Sequence, residues 1–402
     1  MKSSHRALAV LVSLVVLAGG PISGAAFATP VEHGPDWQLR VNSTARLIAG
    51  LAPTHPDHRA LAERPEWKAH RAKLQASWAW LRKAQIAPLT AWRNGAMPRV
   101  CPAGSTLLYP FSGPDFFNAY WLFPNCETYV MFGLEPIGTP PAIEKMDEVQ
   151  LTRLLTDVRE AMANLLARNY FITSKMDKQM QGEELNGVVP IIMISMALAG
   201  VEVLDISPMT LARSRHAAAA RAEPTVRPRR KLKGVTIVFR KPGSPVAQRL
   251  NYFSVDASNA GMARYPQFRD YLRSLAPTTT LIKSASYLLH VAEFKRLRNL
   301  LLEVSGFLVQ DDTGVPYAML AKRGWQLSVY GRYEVPIPPF ERHYQPELAE
   351  VYFATDPAPL AFRFGYRRSF RDDRSNVMVG QRMLPRRVGS GRDAASAPAP
   401  TR

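Results

Sequence analysis

The sequence predicts an α+β fold, in which a mixed sheet accompanies an N-terminal helical region. Residues 42–96 repeat their apolar side chains at helical spacing, and several later segments have the apolar or alternating pattern of strands. The order of these segments shows no regular β–α–β alternation, which favours α+β over a doubly wound sheet. We expect one unit, or two closely packed lobes joined near residues 207–231.

The first 28 residues have the three parts of a secretory signal. Lys2 and Arg6 form a basic start, residues 7–19 are apolar, and Ala26 and Ala28 give a small-x-small cleavage site. The apolar part is too short to cross a bilayer core of about 30 Å comfortably. We predict cleavage near Ala28 and a periplasmic or secreted mature protein.

The next part, residues 29–206, contains mostly helical patterns. Trp67, Leu74, Trp78 and Leu81 recur at helical spacing and form an aromatic stripe. The other predicted elements are a strand at 106–111, a short aromatic helix at 116–123, a strand at 128–134, the longest amphipathic helix at 142–170 and a buried core helix at 187–201. This last run, about 15 residues long, is shorter than the roughly 20 that a membrane span needs.

Residues 207–231 interrupt these patterns as a basic Ala/Arg/Pro-rich loop or linker. The part from 232 to 370 then predicts further strands and helices. The strands lie at 234–240, 249–255, 307–310, 325–333 and 360–366, and the helices at 266–274, 280–290 and 292–304. Residues 371–402 are predicted to form a disordered basic tail, because their composition leaves little to bury.

The formal net charge of +18 is concentrated in two segments. Residues 211–243 hold ten Lys or Arg against Glu223 alone, and residues 363–402 hold ten Arg against three Asp. Such segments attract polyanions, so an anionic envelope surface is a candidate partner; drift in a GC-rich genome gives the same composition. Nucleic-acid binding is disfavoured, because the loop lacks aromatic residues and the chain carries an export signal.

The two cysteines, Cys101 and Cys126, lie 25 residues apart in the predicted mature chain. An even pair in an oxidising compartment predicts a disulfide bond. The alternative is a catalytic Cys–His pair, for which no local signature is present.

The most unusual stretch is YPFSGPDF at residues 109–116. Ser112 and Asp115 have the spacing of a capping box, so a strand ends, turns at Gly113 and opens a helix. This arrangement is either a capped helix start or a site where free N–H groups hold an anion. In the second case Ser112 is a candidate nucleophile and Asp115 a candidate ligand contact. The context differs from the G-x-S-x-G elbow of α/β-hydrolases.

The segment KSASYLLH provides the second candidate. On the helix predicted for 280–290, Lys283, Ser286, Tyr287 and His290 share one face. This polar stripe is either a structural hydrogen-bond network or the wall of a pocket. In a pocket, His290 would serve as a base and Lys283 would hold an anion.

Two more candidates follow predicted strands. Asp311 and Asp312 precede a Thr-Gly turn, as in a hairpin or in a carboxylate site. Arg332, flanked by tyrosines, has the planar head that grips acidic ligands, unless it lies on a solvated strand face.

No stretch has the specificity of a known catalytic, metal or cofactor motif, and the sequence predicts neither a cofactor nor a metal. Two functions remain. The first is a non-enzymatic envelope protein that binds a ligand or partner. The second is an envelope hydrolase that uses Ser112, His290 and Asp312 in a Ser/His/Asp-type site.

Six stretches in this order resemble a family of exported bacterial proteins of unknown function. They are LLYPFSGPDFFNAYWLFP, TYVMFGLEPIG, NYFITSKM, IKSASYLLH, FLVQDDTGVP and YGRYEVPIPPF. The resemblance covers about residues 41–366 and implies a single structural unit. It brings no activity, cofactor or catalytic residue, and the basic loop and tail fall between or outside the matching stretches.

Overall fold

A nine-stranded mixed sheet organises the computed structural model, which describes residues 33–97, 100–102, 104–170, 184–211, 231–366 and 375–382. The predicted α+β class is confirmed. The strands are, in chain order, β1 (Thr106–Pro110), β2 (Thr128–Gly133), β3 (Glu202–Leu211), β4 (Leu232–Arg240), β5 (Ala247–Ser254), β6 (Thr278–Ile282), β7 (Ser305–Gln310), β8 (Trp325–Gly331) and β9 (Asn376–Arg382). Their order across the sheet is β3-β4-β5-β2-β1-β6-β7-β9-β8.

The five central strands, β5-β2-β1-β6-β7, run parallel. The chain builds outward from β1 through β2 and β5, then returns to place β6 and β7 on the opposite side. The sheet therefore reverses its winding direction between β1 and β6. In open sheets of this kind, ligands bind at such a reversal, outside the carboxyl ends of the strands.

Antiparallel strands flank this centre on both sides. The β3–β4 pair and the long helices before it separate β2 from β5 in sequence. This insertion explains why the sequence shows no regular β–α–β alternation, although the central strands are parallel.

The described residues also form twelve α-helices, and the predicted N-terminal helical region is confirmed. The helices are α1 (Pro35–Ile48), α2 (Arg59–Glu63), α3 (Pro65–Leu81), α4 (Ala87–Ala96), α5 (Phe116–Leu122), α6 (Glu148–Arg168), α7 (Val188–Ala199), α8 (Asn259–Arg264), α9 (Pro266–Ser274), α10 (Lys295–Val304), α11 (Tyr317–Lys322) and α12 (Pro346–Thr355).

Alternating side chains of the central strands build a core on each face of the sheet. Leu107 and Tyr129 point to one face, where α1, α5 and α7 cover them. Leu108 and Val130 point to the other face, under α8, α9 and α10. A third core joins α3 and α6 outside the first layer. Burying each such side chain contributes about 1.5–3 kcal/mol relative to exposure.

The helix predicted for residues 280–290 is wrong. Residues 278–282 are the buried strand β6, and a turn follows in which Ser284, Ser286 and Tyr287 have left-handed backbones. The β-branched run of three threonines favours a strand. The apolar residues that suggested a helix are buried in the strand and in the turn that follows it; they include Ile282, Ala285 and Leu289.

Three other boundaries differ from expectation. Residues 360–366 form bends rather than the predicted strand. The predicted disordered tail is wrong over β9, which lies inside the sheet between β7 and β8. Strand β3 continues to Leu211, past the start of the predicted loop; residues 212–230 lie outside the described residues.

The predicted disulfide joins Cys101 to Cys126. It ties the segment before β1 to the loop that connects α5 with β2. The predicted core helix is confirmed as α7, whose first nine residues are buried. Within the described ranges, no helix has both the length and the apolar character required to cross a membrane. The predicted signal peptide and the tail beyond Arg382 lie outside these ranges.

Candidate functional site

The turns that follow β1, β6 and β7 meet at the carboxyl edge of the parallel strands, because β6 lies between β1 and β7. All candidate residues named from the sequence follow these strands, apart from the cysteines and Arg332. They are Ser112 and Asp115 after β1, Lys283, Ser286, Tyr287 and His290 after β6, and Asp311 and Asp312 after β7. The strand order therefore brings together segments that are almost 200 residues apart.

A buried ion pair joins the first two turns. The Lys283 ammonium lies 3.1 Å from Oδ2 of Asp115, and both side chains are almost fully buried. Lys283 also donates to the carbonyl of Asn169, the left-handed residue that ends α6. Tyr109 donates to the same Asp115 oxygen over 2.9 Å. The network fixes the turns after β1 and β6 against each other and against α6.

Asp115 also caps the short helix α5. Its carboxylate accepts from the backbone N–H of Asn118 at 3.1 Å and from the Asn118 amide at 2.9 Å. The chain's own carboxylate therefore occupies the position where a helix N-terminus would hold an anion. The structure assigns Asp115 and Lys283 to a positioning network rather than to a free anion site.

A pair of buried carboxyl groups, those of Asp311 and Asp312, follows β7. Asp311 accepts from the backbone N–H of Ser284 at 2.8 Å and from that of Thr313 at 3.0 Å. Asp312 accepts from the Tyr287 hydroxyl and from the amide of Asn376 at 2.9 Å. Burial and the neighbouring Asp312 raise the pKa of Asp311 to about 7, and burial raises the pKa of Asp312.

These contacts hold a strained turn in place. Ser284, Ser286 and Tyr287 have φ values of 51°, 50° and 56°, which non-glycine residues rarely adopt. Each such residue costs about 1–3 kcal/mol, so the surroundings must enforce the conformation. Asp311 and Asp312 bind two of these three residues, and the Tyr366 hydroxyl lies 2.8 Å from Ser286 Oγ.

A cavity of about 470 Å³ opens beside this turn; we call it the edge cavity. Phe111, which also has a left-handed φ of 57°, lies in its wall together with Ser284 and Ser286. Other aromatic walls come from Tyr170, Phe294, Phe340 and Tyr366, and two carboxylates line it, those of Glu135 and Asp256. The edge cavity therefore lies at the reversal of the sheet and is bounded by its strained turns.

Sequence reasoning missed Glu135 and Asp256. Glu135 stands two residues after the end of β2, and Asp256 stands two residues after the end of β5. A charged residue just after a strand is the same sequence signal that Lys283 and Asp311 provide. Glu135 lies very close to the sheet: a side chain at Gly133 would place its Cβ 2.3 Å from Glu135 Oε2. Glycine at position 133 is what permits this approach.

Of the three residues predicted to form a hydrolytic site, Ser112 and Asp312 have partners outside that site. Ser112 Oγ donates to the carbonyls of Gly113 at 3.1 Å and Phe132 at 3.4 Å. His290 Nε2 is buried and has no hydrogen-bond partner among the described residues. Burial lowers the pKa of His290 to about 4, so its ring is neutral near pH 7. The described hydrogen bonds link neither Ser112 nor Asp312 to His290.

Arg332 lies away from the edge cavity. It is exposed just after β8 and pairs with Glu334 at 2.8 Å. Within the described residues, no cluster of three or more His, Cys, Asp or Glu side chains could hold a metal ion.

Comparison of the chain with protein-family models, with curated proteins and with solved structures finds no match.

Proposed function

We propose that the protein is an exported binding protein that takes a small organic ligand into the edge cavity. The observation that carries this proposal is the position of the strained residues Phe111, Ser284 and Ser286 in the cavity wall. Backbone strain is retained where the surroundings enforce it, and it clusters at binding and active sites. The cavity also lies at the winding reversal where open parallel sheets bind ligands.

A binding function is favoured over hydrolysis. A Ser/His/Asp site requires a nucleophile that hydrogen-bonds to its base and a base that is oriented by a third group. Ser112 instead donates to two backbone carbonyls, and Asp312 is bound by Tyr287 and Asn376. A hydrolase at these residues gains no support from their contacts.

Export is supported by the signal-like first 28 residues and by the disulfide between Cys101 and Cys126. The proposal places the mature protein in the periplasm or outside the cell. Its arginine-rich segments supply the charge for contact with an anionic envelope surface.

The test narrows the mouth of the edge cavity and measures ligand binding. Leu134 is 65% exposed at the rim, so Leu134→Trp should add bulk there without disturbing the core. Compounds that raise the melting temperature of the wild type in a small-molecule screen should lose at least tenfold in affinity in this variant, as measured by calorimetry.

Val149→Trp is the matched control, because Val149 is 66% exposed on α6 and does not line the edge cavity. It should bind like the wild type. A screen without any binder, or binders that Leu134→Trp leaves unaffected, would refute the proposal.

A further inference from the structure

We infer that the ligand of the edge cavity is an organic cation with an apolar or aromatic body; this inference rests on the proposed function. The charged groups in the described lining are the carboxylates of Glu135 and Asp256. The described part of the wall contains no Lys, Arg or His. In a chain with a formal charge of +18, the described lining of this cavity carries only negative charge.

Of the two lining carboxylates, that of Glu135 is the more buried. The residue is only 5% exposed, yet none of the described ion pairs includes it. Its carboxylate accepts a long hydrogen bond of 3.4 Å from the Tyr252 hydroxyl, through Oε2. No described donor reaches Oε1, which faces the turn at Gly113. Buried carboxylates are normally paired with a cation, so a positively charged ligand would complete this site.

The other walls suit the body of such a ligand. Phe340 and Tyr366 stack with ring centroids 5.5 Å apart, and Tyr170 meets Tyr366 edge-on at 4.8 Å. Phe111 and Phe294 form a second aromatic pair at 5.6 Å. Aromatic faces attract cations through the ring quadrupole, and they provide apolar surface for the uncharged part.

Among the described residues, the groups at this edge that could hold an anion already have partners. Lys283, which follows β6, is neutralised by Asp115. The N-terminus of α5 is capped by the same carboxylate. These two described groups are thus occupied within the protein, whereas the carboxylates of Glu135 and Asp256 have no cation among the described ion pairs.

The experiment compares cations with uncharged molecules of the same shape. The probes are choline and benzyltrimethylammonium, each paired with its carbon isostere, in which a quaternary carbon replaces the nitrogen. At least one cation should bind the full mature chain at least tenfold more tightly than its isostere, as measured by calorimetry. Glu135→Gln should weaken cation binding at least tenfold and leave isostere binding unchanged, because only the charge is lost.

Asp205→Asn is the control, since Asp205 is a buried carboxylate on β3 that does not line the edge cavity. It should leave the affinity for both members of a pair unchanged. Equal affinities within both pairs, no binding of either cation, or retention of cation preference in Glu135→Gln would overturn the inference. If neutral compounds still bind and Leu134→Trp blocks them, the proposed function stands and only the preference for a cation fails.

Discussion

Asp115 follows β1 at the carboxyl edge of the sheet, Asp311 and Asp312 follow β7 at the same edge, and these buried carboxyl groups are stabilised in different ways. Asp115 has a cation, Lys283, and several hydrogen-bond donors. Asp311 and Asp312 have donors but no cation among the described ion pairs, and each raises the cost of ionising the other. Asp115 is held in an ion pair with Lys283, whereas Asp311, whose pKa is about 7, holds a proton that can leave near neutral pH.

The difference explains how the strained turn is built. The ion pair locks Lys283 at the end of β6, where the turn begins. The carboxyl pair then binds the next residues through Ser284 and Tyr287. The ion pair therefore fixes the start of the turn, and the raised pKa of Asp311 makes the rest of the turn sensitive to pH.

The largest effect should come from removing the cation. Lys283→Met should lower the free energy of unfolding by about 3–5 kcal/mol, because it leaves Asp115 buried without a positive partner. Urea denaturation measures this value. Lys233→Met, on the exposed side of β4, should change it by no more than about 0.5 kcal/mol. Similar values for the two variants would show that the ion pair is not required.

The second prediction concerns pH. The pKa of Asp311 rises from 3.8 to about 7 on folding, so the native state binds a proton more tightly than the unfolded chain does. Its contribution to stability is therefore complete below about pH 4 and is lost as the pH rises to about 7, with a slope approaching 1.4 kcal/mol per pH unit. Asp311→Asn should flatten this part of the stability profile in denaturation experiments at stepped pH. An unchanged slope in the variant would assign the proton to another group.

The smallest expected effects on stability come from removing the hydroxyl groups of two tyrosines, one bound to Asp312 and one bound to Asp115. Tyr287→Phe removes a donor from Asp312, which has few others, and should cost about 1.5–3 kcal/mol. Tyr109→Phe removes a donor from Asp115, which keeps Lys283 and Asn118, and should cost about 1 kcal/mol. The free energies of unfolding of the two variants decide the order. A larger loss of stability for Tyr109→Phe than for Tyr287→Phe would contradict the conclusion that Asp115 has more hydrogen-bond partners than it needs from Tyr109 alone.

Much of the fold was predictable from local patterns. The buried helix α7, the disulfide and most strands agree with the sequence, because apolar runs and alternation report directly on burial. The parallel centre was not predictable in this way. The β3–β4 insertion hides the alternation, and strand pairing depends on contacts between distant segments.

The sequence selected residues in the turns beside the edge cavity, but of these only Ser286 lines its described wall. Lys283, Ser286, Tyr287 and His290 were selected as one face of a helix, yet they lie on an irregular turn. Two left-handed residues of this turn, Ser284 and Tyr287, are bound by Asp311 and Asp312, which lie more than 20 residues further along the chain. Glu135 was missed because its carboxylate lies beside Gly113, in the turn after β1, and this proximity is not visible in the sequence around Glu135.

The late position of β9 in the sequence has a consequence for the order in which the sheet is completed. Strand β9 separates β7 from β8, so β8 reaches the sheet only by pairing with β9. In a chain that emerges N-terminus first, β8 appears before the strand on which it docks. A chain that stops before Asn376 would lack the Val377 and Val379 side chains of the core and would expose the edge of β7. The sheet can therefore be completed only when nearly all of the described chain is present.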